Sequence, residues 1–117
     1  MPVRNEKCIT IIVKKKLFRT STANIIYISY QDYGSTLHLS DGTTHSTPHL
    51  LKEFENGFKD VFKEDNDFFR LSRNILINTE HNITGQLTYR KRAITINGVI
   101  MQVPRKKVTP LKKLLCG

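Results

Sequence analysis

Short runs of β-branched and aromatic residues, each closed by a turn signal, fill most of this 117-residue chain. That pattern leaves room for little except strands. Cys8-Ile9-Thr10-Ile11-Ile12-Val13 suits a pleated, half-buried surface. Lys14-Lys15-Lys16 follows as a turn, and Leu17 to Thr20 returns as a second strand. After a short turn at Ser21-Thr22-Ala23-Asn24, Ile25 to Gln31 is apolar and aromatic, with Ile26, Ile28 and Tyr30 at period two. Asp32-Tyr33-Gly34-Ser35 is a turn, and Thr36 to Ser40 alternates through Leu37 and Leu39. Asp41-Gly42 reads as a two-residue type I′ hairpin turn, which needs positive φ at both centres, and Thr43 to Ser46 completes the hairpin.

The period then changes. Thr47 reads as a helix cap and Pro48 as the first helical residue, with Leu50, Leu51, Phe54 and Phe58 at helical spacing. The helix end is open between Gly57 and the Val61-Phe62 region. Glu53, Glu55, Asp60 and Glu64 make it acidic. An acidic helix is a poor reader of a polyanion, which argues against helix-turn-helix recognition. Strand patterns resume at Phe68 to Leu71, Ile75 to Ile77, Ile83 to Thr88 and Ala93 to Ile96; Asn97-Gly98 is a hairpin turn, and Val99 to Val103 returns. Pro104-Arg105-Lys106-Lys107 reads as a basic loop, and Val108 to Leu115 as a closing short helix. The expectation is one mainly β domain over residues 1–117, core about 9–115, with one internal short helix.

The formal charge is +9, and it is segregated. Residues 1–40 carry net +4, residues 41–67 net −4, and residues 68–117 net +9. A one-sided basic surface favours polyanions, because each neutralised phosphate releases condensed counterions. No apolar run reaches the roughly 20 residues of a membrane span. Arg4, Glu6 and Lys7 stand where a signal peptide would need apolar residues, so a cytoplasmic location is expected. Cys8 and Cys116 lie far apart in sequence, have no metal or disulfide-framework spacing, and read as reduced thiols. His45 and His49 are four apart, but Pro48 between them breaks a shared helical face; His38 and His81 have no clear partners. No metal or other cofactor is expected. There is no Gly-rich phosphate loop or paired-acid constellation, and a hydrolase built on Ser72 lacks supporting spacing, so the chain does not read as an enzyme.

Phe68-Phe69-Arg70-Leu71-Ser72-Arg73-Asn74-Ile75-Leu76-Ile77-Asn78 resembles the central signature of LytTR DNA-binding domains, roughly Phe-x-Arg-x-His-Arg-Ser-x-x-Val-Asn followed by an isoleucine. Phe68, Arg70, Arg73, Asn78 and Ile83 fit, and Ile77 stands in for the valine. Ile25-Ile26-Tyr27-Ile28, the Asp41-Gly42 hairpin with Leu51-Lys52-Glu53-Phe54-Glu55, and Gly98 through Lys107 resemble further family segments in order. The departures are Ser72-Arg73-Asn74 for His-Arg-Ser, Pro104 before the closing arginine, and a longer Lys59–Asp67 segment. The resemblance implies a three-sheet β-β-β sandwich of short antiparallel strands with one short helix. It also implies a bacterial transcription regulator whose loops enter successive major grooves of double-stranded DNA. Family members often bind paired direct repeats, so two copies on one site are expected. Relatives commonly carry a phosphoacceptor receiver domain ahead of this module; about eight residues precede the first strand here, so no receiver domain is expected, and a separate sensor or receiver protein is a candidate partner.

The implied contact loops fall at Asp32 to Thr36, Ser72 to Asn74 and Pro104 to Lys107. Arg73 and Arg105 suit base readout, since a guanidinium donates two parallel bonds to guanine O6 and N7. Arg73 could instead pair with an acid such as Asp67. Asn74, Tyr33 and Ser35 are further base-contact candidates. Arg70, Ser72, Lys106, Lys107, Arg90, Lys91 and Arg92 are backbone candidates; Arg70 could equally brace the sheet. Lys14 to Lys16 could touch phosphate or form a charged turn on the far side. Asn78 reads as structural, bonding loop backbone. Two other readings stay open. One is a single-strand RNA or DNA binder stacking bases on Tyr27, Tyr30, Tyr33 or Tyr89. The other is a protein-interaction module using the acidic helix.

Overall fold

The computed structural model describes residues 8–61, 68–88 and 90–116. Three antiparallel sheets form the body. β1 (Cys8–Val13) and β2 (Lys16–Ser21) make a hairpin. The central sheet has the order β5-β4-β3-β7-β6, from β3 (Ile25–Gln31), β4 (Gly34–Leu39), β5 (Thr44–Thr47), β6 (Phe68–Ser72) and β7 (Ile75–Asn78). The third sheet has the order β10-β9-β8, from β8 (Ile83–Leu87), β9 (Arg92–Ile96) and β10 (Val99–Gln102). Helix α1 (Leu51–Val61) links β5 to β6, and α2 (Arg105–Cys116) closes the chain. The three-sheet architecture expected from the sequence is the one observed.

The central sheet is apolar on both faces, which is why it needs a layer on each side. On one face Ile25, Ile28, Leu37, Leu39, Phe68 and Leu76 pack with Ile11, Phe18 and, from α1, Leu51 and Phe54. On the other, Ile26, Leu71 and Ile77 pack with Ile94, Ile96, Met101, Val103 and Leu111. The period-two reading of β3 fails at its start. A register shift between Ile25 and Tyr27 places Ile26 and Ile28 in opposite cores. One extra residue in a strand moves every later side chain to the other face, and a bulge does so locally.

Three other expectations are corrected. The Asp41-Gly42 turn is not type I′: Gly42 has φ +88° while Asp41 is not in the left-handed region, and Leu39 N–H reaches Thr43 O at 2.9 Å. Asp41 instead folds its carboxylate back onto Thr43, accepting from the backbone N–H at 2.9 Å and from Oγ1 at 2.6 Å. These bonds hold its pKa below the usual carboxylate value. The first helix starts at Leu51, not Pro48, because Thr47 is committed to β5 opposite Ser35. Glu53 provides the cap, its carboxylate accepting the Leu50 N–H at 2.6 Å. Finally, Arg105 to Lys107 is not a loop but the first turn of α2.

Candidate nucleic-acid interface

Two tight turns stand side by side at one end of the central sheet. β3 and β7 are neighbours, with Ser29 opposite Ile75, so the β3–β4 turn and the β6–β7 turn emerge together. Tyr30 N–H joins them by donating to Asn74 O at 2.8 Å.

The β6–β7 turn, Arg73-Asn74, is held from several directions. A second register shift, between Arg70 and Ser72, re-aims the end of β6. The Ser72 hydroxyl accepts the Asn74 N–H at 3.3 Å. Arg70 lies beneath the turn and donates to Arg73 O at 3.1 Å. Its other terminal nitrogen makes an ion pair with Glu55 of α1. Arg70 is therefore turned inward, tying helix to turn. Ser72 is half-buried and its hydroxyl serves the turn backbone. Arg73 and Asn74 are exposed, and among the described residues the Arg73 guanidinium has no hydrogen-bond or ion-pair partner. Asp67, its alternative partner, lies outside the described residues.

The β3–β4 turn is built differently. Asp32 and Tyr33 both have positive φ, 52° and 76°, and Tyr33 is 91% exposed. Ser35 leaves the surface: it is 1% exposed and its hydroxyl donates to His49 O at 2.6 Å. That bond ties the β5–α1 link to the turn. Gly34 makes the link possible, since a Cβ there would sit 2.7 Å from Thr47 O. His49 completes the link. Its Nε2 accepts the Ile12 N–H at 3.5 Å, which puts the ring proton on Nδ1 toward Glu53, 3.2 Å away.

The basic residues of the C-terminal half divide. Arg105 and Lys106 are exposed on the first turn of α2. Lys107 is half-buried, its ammonium 5.6 Å from the centroid of the Phe69 ring on β6. This contact places the start of α2 beside the strand that leads into Arg73. Arg90 and Lys91 are exposed in the β8–β9 turn. Arg92 is committed to the fold, its Nε donating to Val103 O at 3.3 Å while Val103 N–H donates to Arg92 O at 2.8 Å. Asn78 is buried, as its sequence context implied: Nδ2 donates to Ile25 O at 2.8 Å and to Thr22 O at 3.2 Å. On the α2-side face of the sheet, Tyr27 stacks on His38 with centroids 3.9 Å apart. Burial raises the pKa of Tyr27 and lowers that of His38.

The LytTR family profile, described as the LytTr DNA-binding domain, matches residues 15–116. The chain belongs to the LytTR family. Among solved structures, this LytTR domain is similar to one described as the LytTr DNA-binding domain of a methyl-accepting/DNA response regulator from Bacillus cereus. The two share 17% identity with a TM-score of 0.71, over 95% of this chain and 98% of that one. At that identity the likeness speaks for the fold. No curated protein sequence matches. Membership makes this LytTR chain a DNA-binding domain of a family that is not enzymatic. No helix among the described residues is long and apolar enough to cross a membrane. Nor do any three of its described His, Cys, Asp or Glu side chains cluster as metal ligands.

Sequence reading missed Glu55 and His49. Glu55 lies fifteen residues from Arg70 in the chain, and no local pattern announces such a pairing. His49 gives no local signal either, because its tie to the Ile12 backbone spans 37 residues.

Proposed function

We propose that the domain is a sequence-specific regulator of transcription in a bacterial cytoplasm, reading double-stranded DNA through Arg73. The carrying observation is the Arg73 turn. An exposed guanidinium with no partner among the described residues sits on a backbone fixed by Ser72, Tyr30 and the Arg70–Glu55 pair. Fixed geometry is what bidentate readout of guanine requires, because the two bonds must form together. Asn74 and Tyr33 are exposed beside it and extend the base-facing surface.

Arg105 and Lys106 support the same reading. Cations in the first turn of a helix oppose its macrodipole, an arrangement favourable only when an anion sits there. Arg105 is the second candidate base reader, and Lys106, Arg90 and Lys91 the phosphate contacts. Paired direct repeats, two copies of the domain per site and a separate sensor or receiver protein complete the proposal. Single-strand binding draws less support. Tyr27 and Tyr30 are half-buried on opposite faces, so among the described tyrosines only Tyr33 offers an open ring; Tyr89 lies outside the described residues.

Selection of random duplex DNA by the purified protein at near-physiological salt tests the reading. Enrichment of a short motif, repeated in direct orientation, is the expected outcome. Salt-sensitive bulk binding with no enriched motif would overturn it.

A further inference from the structure

Beyond the base-reading turns, one cationic feature lies at the same end of the molecule. The β1–β2 hairpin starts at the opposite end, where Ser21 leads through Thr22–Asn24 into Ile25. It then runs along the sheet. Phe18 stacks on His45 of β5, centroids 4.2 Å apart, and one step further Ile12 donates to the His49 ring. Its tip, Lys14-Lys15, therefore emerges beyond His49, at the end that carries the Asp32-Tyr33 turn. The sequence alone does not fix which end of the fold this turn occupies.

We propose that Lys14, Lys15 and Lys16 form a further DNA contact that grips the phosphodiester backbone outside the base-reading turns. This rests on the duplex-binding function proposed above. All three lysines are exposed, and among the described residues none has a carboxylate partner. Lys14 and Lys15 have φ of 51° and 66°. Left-handed backbone is unfavourable for side chains of this size, and glycine or asparagine relieves it. Two lysines held there concentrate charge at a tip where a neutral turn would fold more easily. Point charges of this kind suit a sugar-phosphate strand, which is positioned by such groups without being read.

The tip can be neutralised without breaking the turn. Lys14→Asn with Lys15→Gly installs the Asn-Gly pair that the protein already uses at Asn97-Gly98, where both φ values are positive. Duplex carrying the selected motif is titrated with parent and variant across a salt series. Each phosphate contact contributes about 0.9 to the slope of log K against log salt, so the variant's slope should be shallower by roughly 1.8. Its base preference should not change. Lys112→Gln with Lys113→Gln, at the other end of α2, removes the same charge and should leave the slope alone. An unchanged slope in the tip variant overturns the proposal, as does an equal change in the control pair. A parent that binds duplex without base preference sinks sequence-specific reading, while the slope difference still decides the tip. A parent that does not bind duplex overturns both.

Discussion

The two neighbouring turns at the end of the central sheet solve one geometric problem in different ways. Arg73-Asn74 uses backbone without positive φ and relies on outside help: the Ser72 hydroxyl, the Tyr30 amide, and Arg70 anchored on Glu55. Asp32-Tyr33 is closed by left-handed backbone at two residues for which that conformation is costly, and it leaves Tyr33 91% exposed. The first turn is held by side chains of its own strand, by the Tyr30 backbone amide of β3 and, through Arg70, by Glu55 of α1. The second projects a large ring from a strained tip. Strain kept at an exposed position marks a place where something besides folding decides the residue.

Breaking the brace should have the largest effect. Arg70→Ala removes the support from Arg73 O and leaves Glu55 half-buried without its cation. Both partners of the pair are a quarter to a third exposed, so solvent screening moderates the loss. The expected cost is about 1–3 kcal/mol of stability, together with a loss of specific DNA affinity. Urea unfolding reads the first and titration of the selected site reads the second. A double-mutant cycle separates direct from indirect action. If Arg70 acts through the turn, adding Arg70→Ala to Arg73→Ala should cost little further specific affinity. Additive losses would show that Arg70 contacts DNA itself.

Arg73→Ala should act on one side only. It removes an exposed side chain, so stability should change by less than about 0.5 kcal/mol. Specific affinity should fall by about 1–3 kcal/mol, roughly 5- to 150-fold, with relaxed choice at one base pair. A folded variant that binds its site as tightly as the parent at matched salt would remove Arg73 from the readout.

The contrast also shows what a sequence can disclose. Strand runs, the Asn97-Gly98 turn and the central signature were legible because each is local: β-branched residues, a glycine where positive φ is needed, a fixed order of residue types. The three-sheet fold followed from the resemblance those residues carry. What was not legible is non-local. Nothing near Ser35 reveals that its hydroxyl is spent on His49, fourteen residues on. Nothing near Arg70 reveals Glu55. The bulges in β3 and β6 are invisible to a period-two reading because they are set by pairing register, which depends on the partner strand. Asp41-Gly42 misled for a related reason. The dipeptide allows a type I′ turn, but the Asp41 side chain found a competing bond to Thr43.

The strained turn offers a test of opposite sign. Asp32→Asn with Tyr33→Gly supplies residues that tolerate left-handed backbone. Stability should rise by about 1 kcal/mol, seen as a higher melting temperature. If Tyr33 touches DNA, affinity for the selected site should drop several-fold at the same time. Higher stability with unchanged affinity would make Tyr33 an ordinary exposed turn residue, and its strain would then need another cause.

Lys107 gives the smallest expected effect and the sharpest division of labour within α2. Its ammonium lies over the Phe69 ring, so it can act on the fold as well as on a ligand. The two roles have separable signatures. Lys107→Ala should cost about 0.5–1 kcal/mol of stability from the lost cation–π contact. If the same ammonium also meets a phosphate, the salt slope of DNA binding should fall by about 0.9, alike for all sequences. Lost stability with an unchanged slope would make Lys107 a clamp of α2 on β6. Phosphate contact would then pass to its exposed neighbour Lys106, and the start of α2 would repeat the logic of the Arg73 turn: one cation holds the scaffold so that the next can face the ligand.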